Sequence, residues 1–471
     1  MLVPTIGVEV HVELKSKTKI FSPSLNDFNS AVNSNVNVID LGYPGVLPRL
    51  NKEAVLMALK AAIVLNCEIT RHMHFDRKNY FYPDLPKGYQ ITQARTPIGH
   101  DGYVEIEIDG KIKKIEIERI HMEEDTCKSI HVGKETLLNY NRAGVPLIEI
   151  VTKPVISSSK EAVLYLEALR EKLLYLGISD VKIEEGSMRC DANISLKEEG
   201  SSILGTKTEI KNIGSIRNVG VSIDYEINRQ KEILENGGVI KEETRRFDDK
   251  TNTTVLMRVK ETGNDYRYFP EPDIPYLTLP EEWIIKARKS IPVLPEELRK
   301  KYREMGLNTN SIETLLSNKP LCDFFENVSK FDAVTAANLL TGEVLSYLNK
   351  NHLSFKETKL NKENFLSLLS FLKEGKISSK QGKEVLAILL EQDKKVEDII
   401  QDMGMEQISD ASFLQQIVLK VIENNPESVE DYKNGKDRAI KFLMGQIMKE
   451  SKGKANPKQV DELLKNTLQT L

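Results

Sequence analysis

Apolar and polar residues alternate along several stretches of the first half of the chain. Val8, Val10, Val12 and Leu14 alternate with Glu9, His11 and Glu13, and period-two alternation predicts a strand with one dry face and one wet face. Met188, Cys190, Ala192, Ile194 and Leu196 set against Arg189, Asp191, Asn193 and Ser195 predict a second. Further strands are predicted over residues 103–108, 112–119, 147–152, 206–212 and 255–259, separated by turn signals such as Asp109-Gly110. One-sided strands imply a largely antiparallel sheet with helices packed on its covered face, an α+β arrangement. Two helices punctuate it. Ser158 with Glu161 forms a capping-box pattern ahead of residues 161–176, closed by Gly177, and a helix over 221–236 ends at Gly237-Gly238.

A proline cluster, Pro270, Pro272, Pro275 and Pro280 followed by Pro292 and Pro295, marks the exit from the sheet region. Beyond it the pattern is helical, as in Val385, Ile388, Leu389 and Val396, Ile399, Ile400, with no repeat that would make a solenoid. The expected organisation is a sheet domain over 1–292, a helical domain over 293–405 and a tail domain over 406–471. The tail carries an amphipathic helix with Ala439, Phe442, Leu443 and Ile447 on one face. From Lys433 to Lys465 there are nine basic and four acidic residues, a local charge of +5 in a chain whose total is -4. Such asymmetry marks either a nucleic-acid contact or a solvated helix face.

The length of 471 residues agrees with about three domains. With 29% charged and 40% hydrophobic residues the composition is that of a folded globular protein rather than a disordered one. No apolar run approaches the roughly 20 residues needed to cross a bilayer, and the N-terminus lacks the pattern of a signal peptide. Cys67, Cys127, Cys190 and Cys322 stand far apart with no Cys-x-x-Cys, so the expected setting is a reducing cytoplasm without disulfides.

Candidate chemistry follows from the strand faces. Glu9, His11 and Glu13 leave one face at intervals of about 7 Å, a spacing that suits either a cation or ordinary solvation. Arg189, Asp191 and Asn193 share the wet face of the second strand, Lys207, Glu209 and Lys211 that of a third, and His121-Met122-Glu123-Glu124-Asp125 adds an acidic triplet. Oxygen ligands with an imidazole and no thiolate suit magnesium better than zinc. Gly-Lys occurs six times and never precedes Ser or Thr, which disfavours a Walker nucleotide site. There is no His-Glu-x-x-His and no Gly-x-Ser-x-Gly, against metalloprotease and serine-hydrolase readings. Acids for a metal and Arg189, Lys207, Lys211, Arg245 and Arg246 for phosphate oxygens would serve a nuclease, a phosphotransferase or a ligase. Residues 78–90 pack four aromatics, two prolines and two lysines into one loop, suited to stacking on a base, to an aminoacyl end, or to clamping the loop onto the core.

Six segments, residues 6–14, 80–90, 121–125, 141–150, 185–193 and 265–273, occur in the order found in the B subunits of bacterial glutamyl/aspartyl-tRNA amidotransferases, and the chain resembles that family over its whole length. Residues 429–436 and 445–449 resemble the family's tail domain, which is implied to hold tRNA. The resemblance implies a cradle-like domain akin to the glutamine-synthetase kinase fold, followed by helical and tail domains. It implies ATP-dependent phosphorylation of Glu-tRNA(Gln) or Asp-tRNA(Asn), then amidation with ammonia from an amidase partner. It also implies assembly as a heterotrimer with that amidase, the family's A subunit, and with a small C subunit.

Carried over by position, Glu9, His11, Glu124, Asp191 and Glu209 match a Mg2+ cluster, with Glu124, Asp191 and Glu209 the catalytic members. Arg189, Lys207 and Lys211 are nominated by the strand faces alone as cofactor-phosphate partners, and the basic charge of the tail nominates Lys433, Lys436, Lys449, Lys452 and Lys454 as tRNA contacts. Many relatives hold zinc with Cys-x-Cys and Cys-x-x-Cys, where this chain has Ser22, Ser24, Asn37 and Asp40; no structural zinc is therefore expected. The alternatives are a tRNA-binding scaffold without chemistry of its own, and a stand-alone carboxylate–amine ligase or metal-dependent nuclease.

Overall fold

The computed structural model describes residues 1–27, 30–259, 266–404, 411–433, 437–451, 455 and 457–470, at backbone level only at 411–413, 433, 437, 457–458 and 469–470. The chain divides into two compact units, Met1–Leu294 and Pro295–Leu471.

The first unit is built on a 12-stranded sheet. Its site-bearing strands are β1 (Leu2–Glu13), β2 (Asp76–Asn79), β3 (Tyr89–Thr92), β4 (Gly99–Ile108), β5 (Lys111–Glu124), β6 (Pro146–Thr152), β7 (Met188–Glu198), β8 (Thr208–Lys211), β9 (Glu243–Asp248) and β10 (Thr253–Val259). Their spatial order is β10-β9-β8-β7-β1-β6-β5-β3-β2, with β4 on β5. All these pairings are antiparallel except the parallel β8–β9 pair. The first strand of the chain is thus central, flanked by β6 and β7. Its dry face, Val8, Val10 and Val12, joins Ile148, Ile150, Ala192 and Ile194 in one apolar core with side chains of helices α1 (Lys52–Val64), α2 (Ser159–Leu176) and α3 (Ile216–Glu235). Each fully buried aliphatic side chain contributes about 1.5–3 kcal/mol. Helices on one side leave the other side open.

The predicted strands are all present, some longer than the alternation suggests and the one expected over 206–212 shorter, at Thr208–Lys211. β5 runs on to Glu124 because pairing with β6 carries it past the hairpin. The short β2, β3 and β9 have no marked alternation and emerge only from pairing. Ser158 caps α2, accepting from Glu161 N at 3.2 Å, and Gly177 ends it in the left-handed conformation at φ 67°. The second arm of the expected capping box is replaced: the Glu161 carboxylate accepts from Ser157 N at 2.8 Å and pairs with Lys113. Helix α3 starts at Ile216 rather than 221, because Ser215 Oγ accepts from Asn218 N at 3.1 Å and supplies an earlier cap.

The described part of the second unit is helical. Leu414, Val418, Leu443, Ile447, Val460 and Leu464 form an apolar cluster of their own within the tail. The expected boundary at 405/406 lies outside the described residues. No described helix is long and apolar enough to cross a membrane.

Candidate active site

The open face is read most directly from register. Glu9 of β1 stands opposite Asp191 of β7, His11 opposite Glu149 of β6, and Gly7 opposite Asn193. Asn193 in turn faces Glu209 of β8, and Glu149 faces His121 of β5. Cross-strand partners project from the same face, so five strands deliver acids and imidazoles to one surface.

These side chains form two adjacent groups. The ligand atoms of Glu9, Asp191 and Glu209 all lie within 4.8 Å of one another, and so do those of His11, Glu123 and Glu149. Glu9 and His11 are alternate residues of one strand, which puts the groups about 7 Å apart at that point. In the first group Asn193 Nδ2 donates to Glu9 Oε1 at 2.8 Å, Thr244 Oγ1 donates to Glu209 Oε2 at 2.9 Å, and Lys211 Nζ lies 2.6 Å from Asp191 Oδ2 and 3.1 Å from Glu209 Oε1. In the second, His11 Nε2 lies 3.4 Å and His121 Nε2 3.2 Å from Glu149 Oε2.

Electrostatics follow from this crowding. Burial, then the neighbouring Glu149 carboxylate, raises the Glu9 pKa above the ordinary carboxylate value. Burial opposes the charged form of His121, but Glu149 and Glu123 outweigh it and push that imidazole up to about 9. Burial likewise disfavours the Glu149 anion, yet His121 and His11 hold it well below the usual range. Burial works against the Lys211 ammonium too, and Asp191 and Glu209 overcome it to raise its pKa.

Of the five expected ligands, Glu9, His11, Asp191 and Glu209 occupy the open face, divided between the two groups. Glu124 does not join them. Its carboxylate pairs with Lys87 Nζ at 2.5 and 2.6 Å and accepts from Ile91 N at 2.9 Å. Alternation on β5 is the reason: Ile120 and Met122 belong to the core, so Glu124 shares their side, while His121 and Glu123 face the opening. The same period-two rule that nominated Glu9 was available for Glu123. Glu149, also absent from the sequence-based set, is the one charged residue in Pro146–Thr152, and its role depends on its register with His11.

Among the expected phosphate partners, Lys211 lies on the first group as described and Lys207 is exposed just before β8. Arg189 Nη2 is engaged by Asp125 Oδ2 at 2.7 Å. Lys449 is exposed on the tail helix Asp437–Glu450; the backbone of Lys433 ends the helix Pro426–Lys433. Lys436, Lys452 and Lys454 lie outside the described residues. In the aromatic loop Phe81 and Tyr82 are 87% and 60% exposed, and Lys78 Nζ sits 4.9 Å from the Tyr266 ring centroid.

Ser22, Ser24, Asn37 and Asp40 do converge, around a carboxylate. Ser22 Oγ and Ser24 Oγ each donate to Asp40 at 2.6 Å, Asn37 N donates at 3.0 Å, and the buried Lys19 Nζ lies 3.4 Å away.

Comparison with known proteins agrees with this architecture. The family described as "GatB/GatE catalytic domain" matches residues 4–285, and that described as "GatB domain" matches residues 323–468. The B subunit of the aspartyl/glutamyl-tRNA(Asn/Gln) amidotransferase from Bacillus licheniformis is 51% identical over 463 residues, 98% of this chain and 97% of that protein. Its namesakes from Geobacillus thermodenitrificans and Staphylococcus aureus (strain JH9) are each 52% identical, over 98% of this chain and 97% and 98% of their own lengths. Identity of this extent, over both units, means that the chain belongs to the GatB family of aspartyl/glutamyl-tRNA(Asn/Gln) amidotransferase B subunits.

Proposed function

We propose that this chain acts as the B subunit of a tRNA-dependent amidotransferase and that its share of the reaction is activation of the aminoacyl carboxylate by ATP. A carboxylate resists amines because it is anionic and has no good leaving group. Transfer of the γ-phosphoryl of ATP to that oxygen gives an acyl phosphate; ammonia then forms the C–N bond and phosphate departs. The observation that carries this reading is the pair of ligand groups on one open face, Glu9/Asp191/Glu209 and His11/Glu123/Glu149.

Both groups fit a hard divalent cation, having carboxylate oxygens, one imidazole and no thiolate. Mg2+ held there supplies charge neutralisation for the phosphoryl oxygens. The chain's own residues do the positioning, which dominates catalysis of phosphoryl transfer. Asn193 and Thr244 fix the Glu9 and Glu209 carboxylates. Lys211 lies where it can meet a transferred phosphoryl group as a point charge, and Lys207 reaches the same rim. The Asp125 pairing orients Arg189.

In this proposal the substrate is Glu-tRNA(Gln), Asp-tRNA(Asn) or both, and the tail unit binds the tRNA phosphates through Lys433, Lys436, Lys449, Lys452 and Lys454. Ammonia comes from the amidase, the A subunit, held with a small C subunit in a cytoplasmic heterotrimer, because the sequence carries no glutamine-hydrolysing signature of its own. The folded chain needs no structural zinc, its Asp40 hydrogen bonds replacing thiolate ligation. A pure tRNA scaffold is disfavoured, since it has no use for two ligand groups on one face.

The test is to incubate the purified chain with Glu-tRNA and γ-labelled ATP, with and without the amidase partner. Label transferred to the aminoacyl group, and amide formed when ammonium salt replaces the amidase, are the expected results. ATP left unconsumed in the assembled enzyme would overturn the reading.

A further inference from the structure

On the covered face of the strands that carry Asp191 and Glu209 lies a buried charged network with no part in the proposed chemistry. It is centred on α3, whose inward stripe is apolar at Val219 and Ile223 and turns polar at Glu226 and Gln230. Both polar side chains are fully buried. The Glu226 carboxylate accepts from Arg229 Nη2 at 2.6 Å, from Gln230 Nε2 at 2.9 Å and from Thr254 Oγ1 at 3.2 Å. Arg229 Nη2 also donates to Glu243 Oε1 at 3.0 Å. Arg245 Nε donates to Thr254 Oγ1 at 2.7 Å, and its Nη1 to Glu243 Oε2 at 3.3 Å. Gln230 Nε2 reaches Ile194 O at 3.1 Å and Thr208 Oγ1 at 3.2 Å. One carboxylate on α3 is thereby tied to β7, β8, β9 and β10.

Stability is a poor account of this network. It sets two carboxylates, Glu226 and Glu243, against two guanidiniums, Arg229 and Arg245, and a buried ionic group of that kind adds little over apolar side chains of the same volume. What it adds is direction. Apolar contact is non-directional and tolerates sliding, whereas hydrogen bonds to particular atoms fix a strand along its own axis. The strands above are the ones that need fixing: β8 has only four residues, its pairing with β9 is parallel, and the β9–β10 pairing passes over Met257 between Thr244 and Arg245. A one-residue slip of β8 would turn Glu209 to the covered face. Thr208, Glu243 and Arg245, held from below, alternate with Glu209 and Thr244, whose side chains meet on the open face at 2.9 Å.

We infer that Glu226 is a positioning residue for the Glu9/Asp191/Glu209 group: through Arg229, Arg245 and Thr254 it sets the register of β8 and β9, and so places the Glu209 carboxylate and the Thr244 hydroxyl that holds it. Its own carboxylate lies on the far side of the sheet from the reacting groups. The inference rests on the proposed cation binding by that group and deepens it by naming what keeps the group in place. The second group, His11/Glu123/Glu149, is carried by a different set of strands, β1, β5 and β6, and serves as an internal control.

The test uses the assembled enzyme with Mn2+ as the probe ion, followed by electron paramagnetic resonance, and Glu209→Gln to identify the ion of the first group. In Glu226→Gln, which keeps the shape and removes the charge, the first group should bind Mn2+ about tenfold more weakly or worse, and the second within about twofold of wild type. ATP-dependent phosphorylation of Glu-tRNA should lose about tenfold in kcat, with KM for Glu-tRNA within about twofold. Thr254→Val should show the same pattern at several-fold, and Thr254→Ser, which restores the hydroxyl, should recover wild-type values. That pair decides the question even if Glu226→Gln fails to fold. Wild-type affinity and kcat in folded Glu226→Gln and Thr254→Val would overturn the inference. Equal weakening of both groups, the mark of a merely structural role, would overturn it too. Wild-type enzyme that bound no Mn2+ would instead remove the cation reading of the open face, and the inference with it.

Discussion

Two clusters in the first unit use carboxylates in opposite ways. At Asp40 a single carboxylate meets Ser22, Ser24 and the Asn37 N–H, with the Lys19 ammonium beside it. Its hydrogen-bonding capacity is filled and its charge is matched one for one. On the open face Glu9, Asp191 and Glu209 converge around the ammonium of Lys211, three formal negative charges against one positive among these four side chains. Carboxylates kept close without matching charge are costly unless a cation joins them. In the proposed function, the difference separates an acid that holds a loop together from acids arranged for a ligand.

The largest effect is expected on removing an acid from the open face. Asp191→Asn should lower ATP-dependent phosphorylation of Glu-tRNA by about 10²-fold or more, in kcat rather than in tRNA affinity. The fold should persist, since relieving like-charge crowding costs little. A variant that lost tRNA binding in proportion to activity would assign Asp191 a structural role instead.

Asp40 should behave in the reverse way. Asp40→Ala leaves Lys19 buried without its counter-ion, and breaking a buried pair costs about 3–5 kcal/mol. Denaturant unfolding should show that loss, while molecules that remain folded keep their turnover. Metal analysis of the unaltered protein should find no stoichiometric zinc, because serine hydroxyls and an amide are poor substitutes for thiolates. One zinc per chain would show that the loop still ligates metal.

These contrasts were unequally legible in the sequence. Alternation alone placed Glu9, His11 and Asp191 on a wet face, because β1 and β7 are long and each has one dry side. It could not pair them. That Glu149 faces His11 depends on a register between strands more than 130 residues apart, set by tertiary packing rather than local pattern. That Glu123 and not Glu124 shares a side with His121 was legible, since the apolar Ile120 and Met122 fix the parity of the strand.

A smaller effect concerns the second unit, where Lys449 stands exposed on a helix rather than on a shared strand face. Replacing Lys449, Lys452 and Lys454 by Ala should weaken Glu-tRNA binding and reduce the magnitude of its log–log salt slope by about 2–3. Phosphorylation at saturating tRNA should be unaffected. An unchanged slope would make these lysines a solvated face and confine tRNA recognition to other surfaces.

We propose that the open face holds two cation-binding groups and that Glu124 belongs to neither. Equilibrium Mn2+ titration of the apo-enzyme, followed by electron paramagnetic resonance, tests it directly. Two bound ions per chain are expected, one lost in Glu209→Gln, the other lost in Glu149→Gln, and both retained with less than about a twofold change in affinity in Glu124→Gln. Loss of an ion in Glu124→Gln, or retention of both in Glu209→Gln and Glu149→Gln, would contradict it.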